Sequence, residues 1–138
     1  MSIVQTQTTS FKKELYQGIH DLSTDVIKIA LYTANADLNA DTTVYSTTNQ
    51  VVASGYTAGG NILTPVTISS SGYIAYVSFP NVSWSAALTA RCALIYNSSK
   101  AGKSIAVLDF GSDKTSTTLF TITMPADTST AALIRSSN

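Results

Sequence analysis

Apolar and polar positions along this chain fall into short runs, separated by glycine, proline, serine and asparagine rather than by charge. The most informative stretch is Arg91–Gly111, where two apolar runs, Cys92–Tyr96 and Ile105–Phe110, flank the polar segment Asn97–Ser104. That pattern predicts a β-hairpin with a loop longer than the tightest turns. Successive strand side chains point to opposite faces, and neither run alternates apolar with polar. Ala93 and Ile95 are expected to oppose Cys92, Leu94 and Tyr96, and Ile105 and Val107 to oppose Ala106, Leu108 and Phe110. A hairpin apolar on both faces needs two covers. A facing sheet supplies one; a helix or a neighbouring subunit is expected to supply the other.

Upstream, Ser10 reads as an N-cap for the segment FKKELYQGIHDL, with Phe11, Leu15, Ile19 and Leu22 on one helical face. The internal Gly18 costs this helix about 1 kcal/mol against alanine, so its persistence requires packing. Asp25–Tyr32 predicts the first strand, with Ile27, Ile29 and Leu31 on one face and Val26, Ala30 and Tyr32 beside Lys28 on the other. Residues 33–60 form a long irregular region, of a length that in compact domains is usually functional or disordered. Within it Thr43–Val52 suits either a helical turn or a short strand, and Gly55–Gly60 is a turn whose glycines can take positive φ.

Further strands are expected at Asn61–Ser69, Tyr73–Phe79, Val82–Ser85, Thr117–Met124 and Ala131–Arg135. The expected fold is therefore mainly β: a jelly-roll-like β-sandwich of about eight strands with one N-terminal α-helix. No internal repeat of solenoid or propeller length is visible. Residues 1–9 are polar and unpatterned and are expected to be a flexible N-terminal arm, preceding a single β-sandwich domain over 10–138.

Composition sharpens this picture. Charged residues make up 12% of the chain, eight basic against eight acidic, about half the share usual in soluble domains. Serine and threonine, about 39 of 138 residues, supply the missing polarity, as half-exposed strands require. A neutral chain without a Lys/Arg cluster lacks the electrostatic footprint of a nucleic-acid binder. So few charges also give weak protection against self-association. The single cysteine, Cys92, excludes an intrachain disulfide and reads as a core thiol. No apolar run approaches a membrane span and no signal peptide is visible, so synthesis in the cytosol is expected.

Candidate chemistry is sparse. Asn97–Ser104 spells a phosphate-binding loop with asparagine at its first glycine, but the residues after it read as strand where the chemistry needs a helix N-terminus. Asp109-Phe110-Gly111 matches a kinase magnesium triplet without any other kinase element. The sole histidine, His20, sits beside Asp21 with no nucleophile motif to serve. Asp37 and Asp41 with Asn35 and Asn39 are oxygen-rich, yet lack the closing glutamate of a calcium loop. No catalytic residue, cofactor or metal site is expected, and the chain does not read as an enzyme. Tyr45, Tyr56 and Trp84, in or near turns, are candidates for stacking on sugars or filling a protein interface.

The strings TTSFKKELYQGIHDL, DVIKIALYT, GYTAGGN and TARCALIYNSSKAGKSIAVLDFGSDKTS resemble a family of small virion structural proteins of tailed bacteriophages, over about Thr8 to Arg135. Cys92 departs from the smaller residue expected there, and Thr115–Leu119 is shorter than usual in its glycine-rich part. The resemblance brings no catalytic position. It implies a head decoration (cement) protein on the capsid surface of the virion, made in the host cytoplasm. Its expected partners are the major capsid protein and itself, as dimer or trimer, with no nucleic acid and no membrane. Expected contact residues are Ile3, Val4, Tyr45, Tyr56 and Trp84. A neck or tail position, or a carbohydrate-binding module of a receptor-binding structure, are the alternatives.

Overall fold

The computed structural model describes residues 2–137. In chain order the elements are β1 (Thr6–Gln7), α1 (Thr9–Tyr16), β2 (Ile27–Tyr32), β3 (Asn61–Ile62), β4 (Thr67–Ser71), β5 (Ile74–Ser78), β6 (Val82–Trp84), β7 (Thr89–Asn97), a 3₁₀ turn at Ser98–Lys100, β8 (Lys103–Thr115), β9 (Phe120–Ile122) and β10 (Ile134–Ser136). The fold is mainly β with one α-helix. Three antiparallel sheets carry it, ordered β1-β8-β7-β2-β3, β10-β5-β4 and β6-β9. The eight expected strands become ten in two ways. The predicted Asn61–Ser69 strand is split around Pro65, β3 pairing with β2 and β4 with β5, because proline offers no N–H to a ladder. The other addition is β1.

The Arg91–Gly111 hairpin forms as β7 and β8, the central pair of the largest sheet. Its first strand divides as its alternation predicts: Ala93 and Ile95 join the main core, while Cys92, Leu94 and Tyr96 enter a second cluster. The second strand does not. Ile95 pairs with Ala106 and Tyr96 with Ser104, leaving Ile105 as the extra residue of a bulge. Ile105 and Ala106 both face the main core and Val107 the other side, so Ile105 and Val107 are separated rather than paired. A bulge resets the two-residue alternation locally.

The main core lies between this sheet and the two smaller ones. Ile27, Ile29, Leu31, Ala93, Ile95 and Leu108 meet Phe79, Val82, Trp84, Phe120, Ile122 and Ile134. On the reverse face Ala30, Tyr32, Cys92, Leu94, Tyr96 and Val107 are covered by Ala36 and Leu38 from the long loop, with Ile3 and Tyr45 against them. The second cover is therefore neither helix nor neighbouring subunit. It is the long loop and the N-terminal segment.

Two expectations are corrected here. Residues 2–8 are not a free arm: Ile3 bridges to Leu38, Val4 N–H donates to the Leu38 carbonyl, and Thr6 and Gln7 pair with Val107 and Ala106. Burial of Ile3 and ladder hydrogen bonds offset the ordering entropy that a polar terminus otherwise keeps. The helix is also shorter than Phe11–Leu22. Thr8, not Ser10, is its N-cap, its hydroxyl accepting from Phe11 N–H. Gly18 ends it at φ +73, where Gly18 N–H donates to Leu15 and Ile19 N–H to Glu14. This is a Schellman stop, which a glycine adopts without Cβ strain. Phe11 is buried in the main core while Leu15 is 38% exposed, so the predicted four-residue apolar face does not exist as one stripe.

Candidate functional site

The phosphate-loop spelling folds into a polar knot rather than an anion cradle. Asn97, fully buried, caps the 3₁₀ turn by accepting from Ser99 N–H at its Oδ1. Its Nδ2 must then face acceptors, and does: Asp25 Oδ2 at 2.7 Å and His20 Nδ1 at 3.0 Å. His20 Nδ1 is thereby an acceptor, so the proton sits on Nε2 and is donated to Glu14 Oε1 at 2.8 Å. Lys100 Nζ reaches both Asp25 oxygens at 2.9 Å. Burial alone would raise the Asp25 carboxyl, but Asn97, the Asp21 backbone and Lys100 outweigh it and hold it down to about 2. Both ring nitrogens of His20 are engaged and its side chain is shut from solvent. The knot can fasten the end of the helix to the hairpin loop; it has no free base to offer a substrate. After the loop comes β8, a strand, as its sequence indicates.

Asp37, Asn39 and Asp41 shape a turn instead of a calcium loop. Asp37 Oδ1 accepts from Ser2 N–H and the Asn39 amide, and Asn39 Oδ1 from Asp41 N–H. Among the described residues no group of three His, Cys, Asp or Glu side chains is placed to hold a metal ion. Among the same residues no helix is long and apolar enough to cross a membrane.

The five expected contact residues do not gather into one surface. Tyr56 is buried, its hydroxyl accepting from Leu31 N–H at 2.9 Å and donating to Gln50 Oε1 at 2.7 Å. Burial pushes that phenol far above its ordinary pKa. Trp84 is 3% exposed and packs near Tyr56 and Phe120. Tyr45 is half-buried, stacked on Tyr96 at 4.5 Å, with its oxygen accepting from the Gln50 amide at 2.9 Å. Ile3 is half-buried under the second cluster; Val4 alone is substantially exposed, at 48%. Tyr56 and Trp84 are thus corrected from contact residues to core. Turn-rich neighbours suggested exposure, but a turn that folds back over a sandwich end carries its aromatic ring inward.

Charge marks out a different part of the chain. Between Asp41 and Arg91 the chain has no Asp, Glu, Lys or Arg, and this stretch supplies β3, β4, β5 and β6. Exposed on it are Val52, Ile62, Ile68 and Tyr73, with Tyr73 at 90%. A groove of mixed character, about 310 Å³, lies beside it, lined by Ser23, Thr24 and Asp25 together with Leu22, Ile62 and Val66. Another, of about 430 Å³, runs between the end of β8 and β9, over Phe110, Leu119, Phe120 and Ile122. Exposed apolar side chains on an uncharged stretch are candidate positions for contact with another protein. The signal was present in the sequence as the gap between Asp41 and Arg91; apolar side chains drew attention to single residues instead. No protein-family model, curated protein or solved structure matches the chain.

Proposed function

We propose that this chain is a structural protein of a tailed-phage virion, a decoration (cement) protein that bridges major capsid subunits on the head. The observation carrying the proposal is the uncharged sector from Thr42 to Ala90 with its exposed apolar side chains, joined to the sequence resemblance over Thr8–Arg135. Such a surface buries area against a lattice without stranding charges. The jelly-roll-like arrangement belongs to the same proposal: sheets closed over one core, with N-terminal segment and loop fastened down, make a stiff block that transmits load. Many copies would each add a moderate contact, and symmetric engagement raises the effective concentration of every further one. The work is mechanical, resisting the outward pressure of packaged DNA.

Adding purified protein to capsids that lack it, and imaging them, tests this. Regular density over the head lattice is expected; bare heads with protein bound at the neck or tail would replace the head role by the alternative position. Copy number per virion makes the same distinction, since head decoration requires hundreds of copies. A glycan-binding role loses ground because Tyr56 and Trp84 are buried.

A further inference from the structure

We propose that β4 is a dimerisation edge, through which two copies of this chain join antiparallel across a two-fold axis at Ser69. The argument begins with how each free sheet edge is guarded. Unprotected edges pair with other chains, and proteins blunt them with charge, shortness, irregularity or cover. β8 is covered by β1 at Ala106 and Val107, and beyond that it carries Asp109, Asp113 and Lys114. The Asp109 N–H is taken by Gln5. β3 and β1 have two residues each. β10 has three residues, including Arg135. β6 and β9 have three residues each, and Asn61 donates to the Ser83 carbonyl of β6.

Only β4 among the described strands has none of these guards. Thr67-Ile68-Ser69-Ser70-Ser71 is five residues long, uncharged and free of proline, and its pairing with β5 is unbroken from Thr67↔Ser78 to Ser71↔Ile74. Its only neighbour is β5, so one backbone edge is open.

Register fixes which groups face out. Gly72-Tyr73 is a two-residue turn with Gly72 at φ +60, so the flanking pair Ser71–Ile74 is hydrogen-bonded and bonded pairs alternate from there. Thr67, Ser69 and Ser71 thus bond inward to β5, and the N–H and C=O of Ile68 and Ser70 point outward. A two-fold axis perpendicular to the sheet must place residues of the same face opposite one another. Centred on Ser69, it sets Ile68 against Ser70 of the second copy and Ser70 against its Ile68, and every outward group finds a partner. No other centre uses both residues.

Side chains agree with the backbone. Ile68 continues the row Ile134–Val77–Ile68. Ile134 is buried and Val77 packs on the core, but Ile68 is 52% exposed at the margin. In the dimer the two Ile68 side chains become diagonal neighbours, within reach of one another. The occupant is a second copy because a neutral Ser/Thr strand carries no charge to select another chain, while its antiparallel self-register satisfies every exposed group. The result is one six-stranded sheet, β10-β5-β4 continued by the same three strands reversed.

The test uses the full chain without any capsid, so its outcome is independent of the proposed function. Light scattering after size exclusion, across a dilution series, should give twice the 14.5 kDa chain mass at high concentration, falling to one chain on dilution. Ser70→Lys, which places an ammonium opposite Ile68 of the other copy, should remain folded by circular dichroism and stay monomeric throughout; Ser70→Thr should keep the dimer. Amide exchange of Ile68 and Ser70 should slow with concentration in the unaltered protein, a reading that needs no variant. A monomer at every soluble concentration, a dimer indifferent to Ser70→Lys, or exchange at Ile68 and Ser70 indifferent to concentration would each overturn the proposal.

Discussion

A Cβ placed on Gly60 would stand 1.7 Å from the carbonyl oxygen of Ile29, and Gly60 itself sits at φ +78. The turn before β3 therefore lies directly on the backbone of β2, and no side chain fits between them. Gly60→Ala should lower the unfolding free energy by more than about 3 kcal/mol, the range reserved for core and backbone disruption. Gly72→Ala is the comparison, because at φ +60 it meets nothing within 4 Å and should lose only about 1–2 kcal/mol of conformational strain. Urea denaturation of both variants decides this; equal losses would mean that close approach at Gly60 does not matter.

Asn97 holds three groups with one amide, so its loss should exceed that of an ordinary hydrogen bond. Asn97→Ala leaves Asp25 and His20 without their shared donor, and is expected to cost about 2–4 kcal/mol. In a double-mutant cycle with His20→Ala the effects should be coupled by about 1 kcal/mol or more. Strict additivity would show that the knot does not act as a unit.

Acid should loosen the same knot. Asp25 is held down to about 2 in the fold, against about 3.9 in an unfolded chain. A depressed folded-state value contributes stability that is complete above about pH 4 and is lost as pH falls through about 2. The loss should be on the order of 1–2 kcal/mol after solvent screening. Thermal melts between pH 5 and 2 should therefore fall more steeply for the unaltered protein than for Asp25→Asn. Parallel curves would remove Asp25 as a source of acid sensitivity.

Cys92 reports on the second cover. Burial pushes its thiol up to about 12, with Arg91 opposing and Asp109 assisting, so a disulfide reagent at neutral pH should label it only through opening. Deleting residues 1–5 uncovers part of the cluster that contains Cys92 and should speed labelling about tenfold or more, a change of about 1.4 kcal/mol in opening. An unchanged rate would show that the long loop alone seals that face.

Individual elements differ in how far their residues announced them. Ile27, Ile29 and Leu31 alternate with Lys28 and Ala30 inside one unbroken strand, where side-chain direction follows from period two. The Asn97–Ser104 loop was equally readable, since the apolar run after it could not supply a helix. Ile105 was not: a bulge depends on the partner strand, and nothing in SIAVLDF marks the extra residue. Gly18 offered a local stop signal, but only bonds from Gly18 and Ile19 back to Leu15 and Glu14 turned it from an internal glycine into an end.

The sequence by itself determined a mainly β chain, its central hairpin, the two apolar faces of that hairpin, and a stretch without charge from Thr42 to Ala90. These depend on local composition and on the fixed alternation of strand side chains. Tertiary structure alone decided what covers the second face. Ile3, Ala36, Leu38 and Tyr45 come from segments too irregular and too polar to declare a side, and they reach Cys92, Leu94 and Val107 only through contacts far apart in the chain. It also decided that Tyr56 and Trp84 turn inward and that β4 keeps an open edge. Neither property resides in a residue; both arise from which strands find neighbours once the sheets have formed.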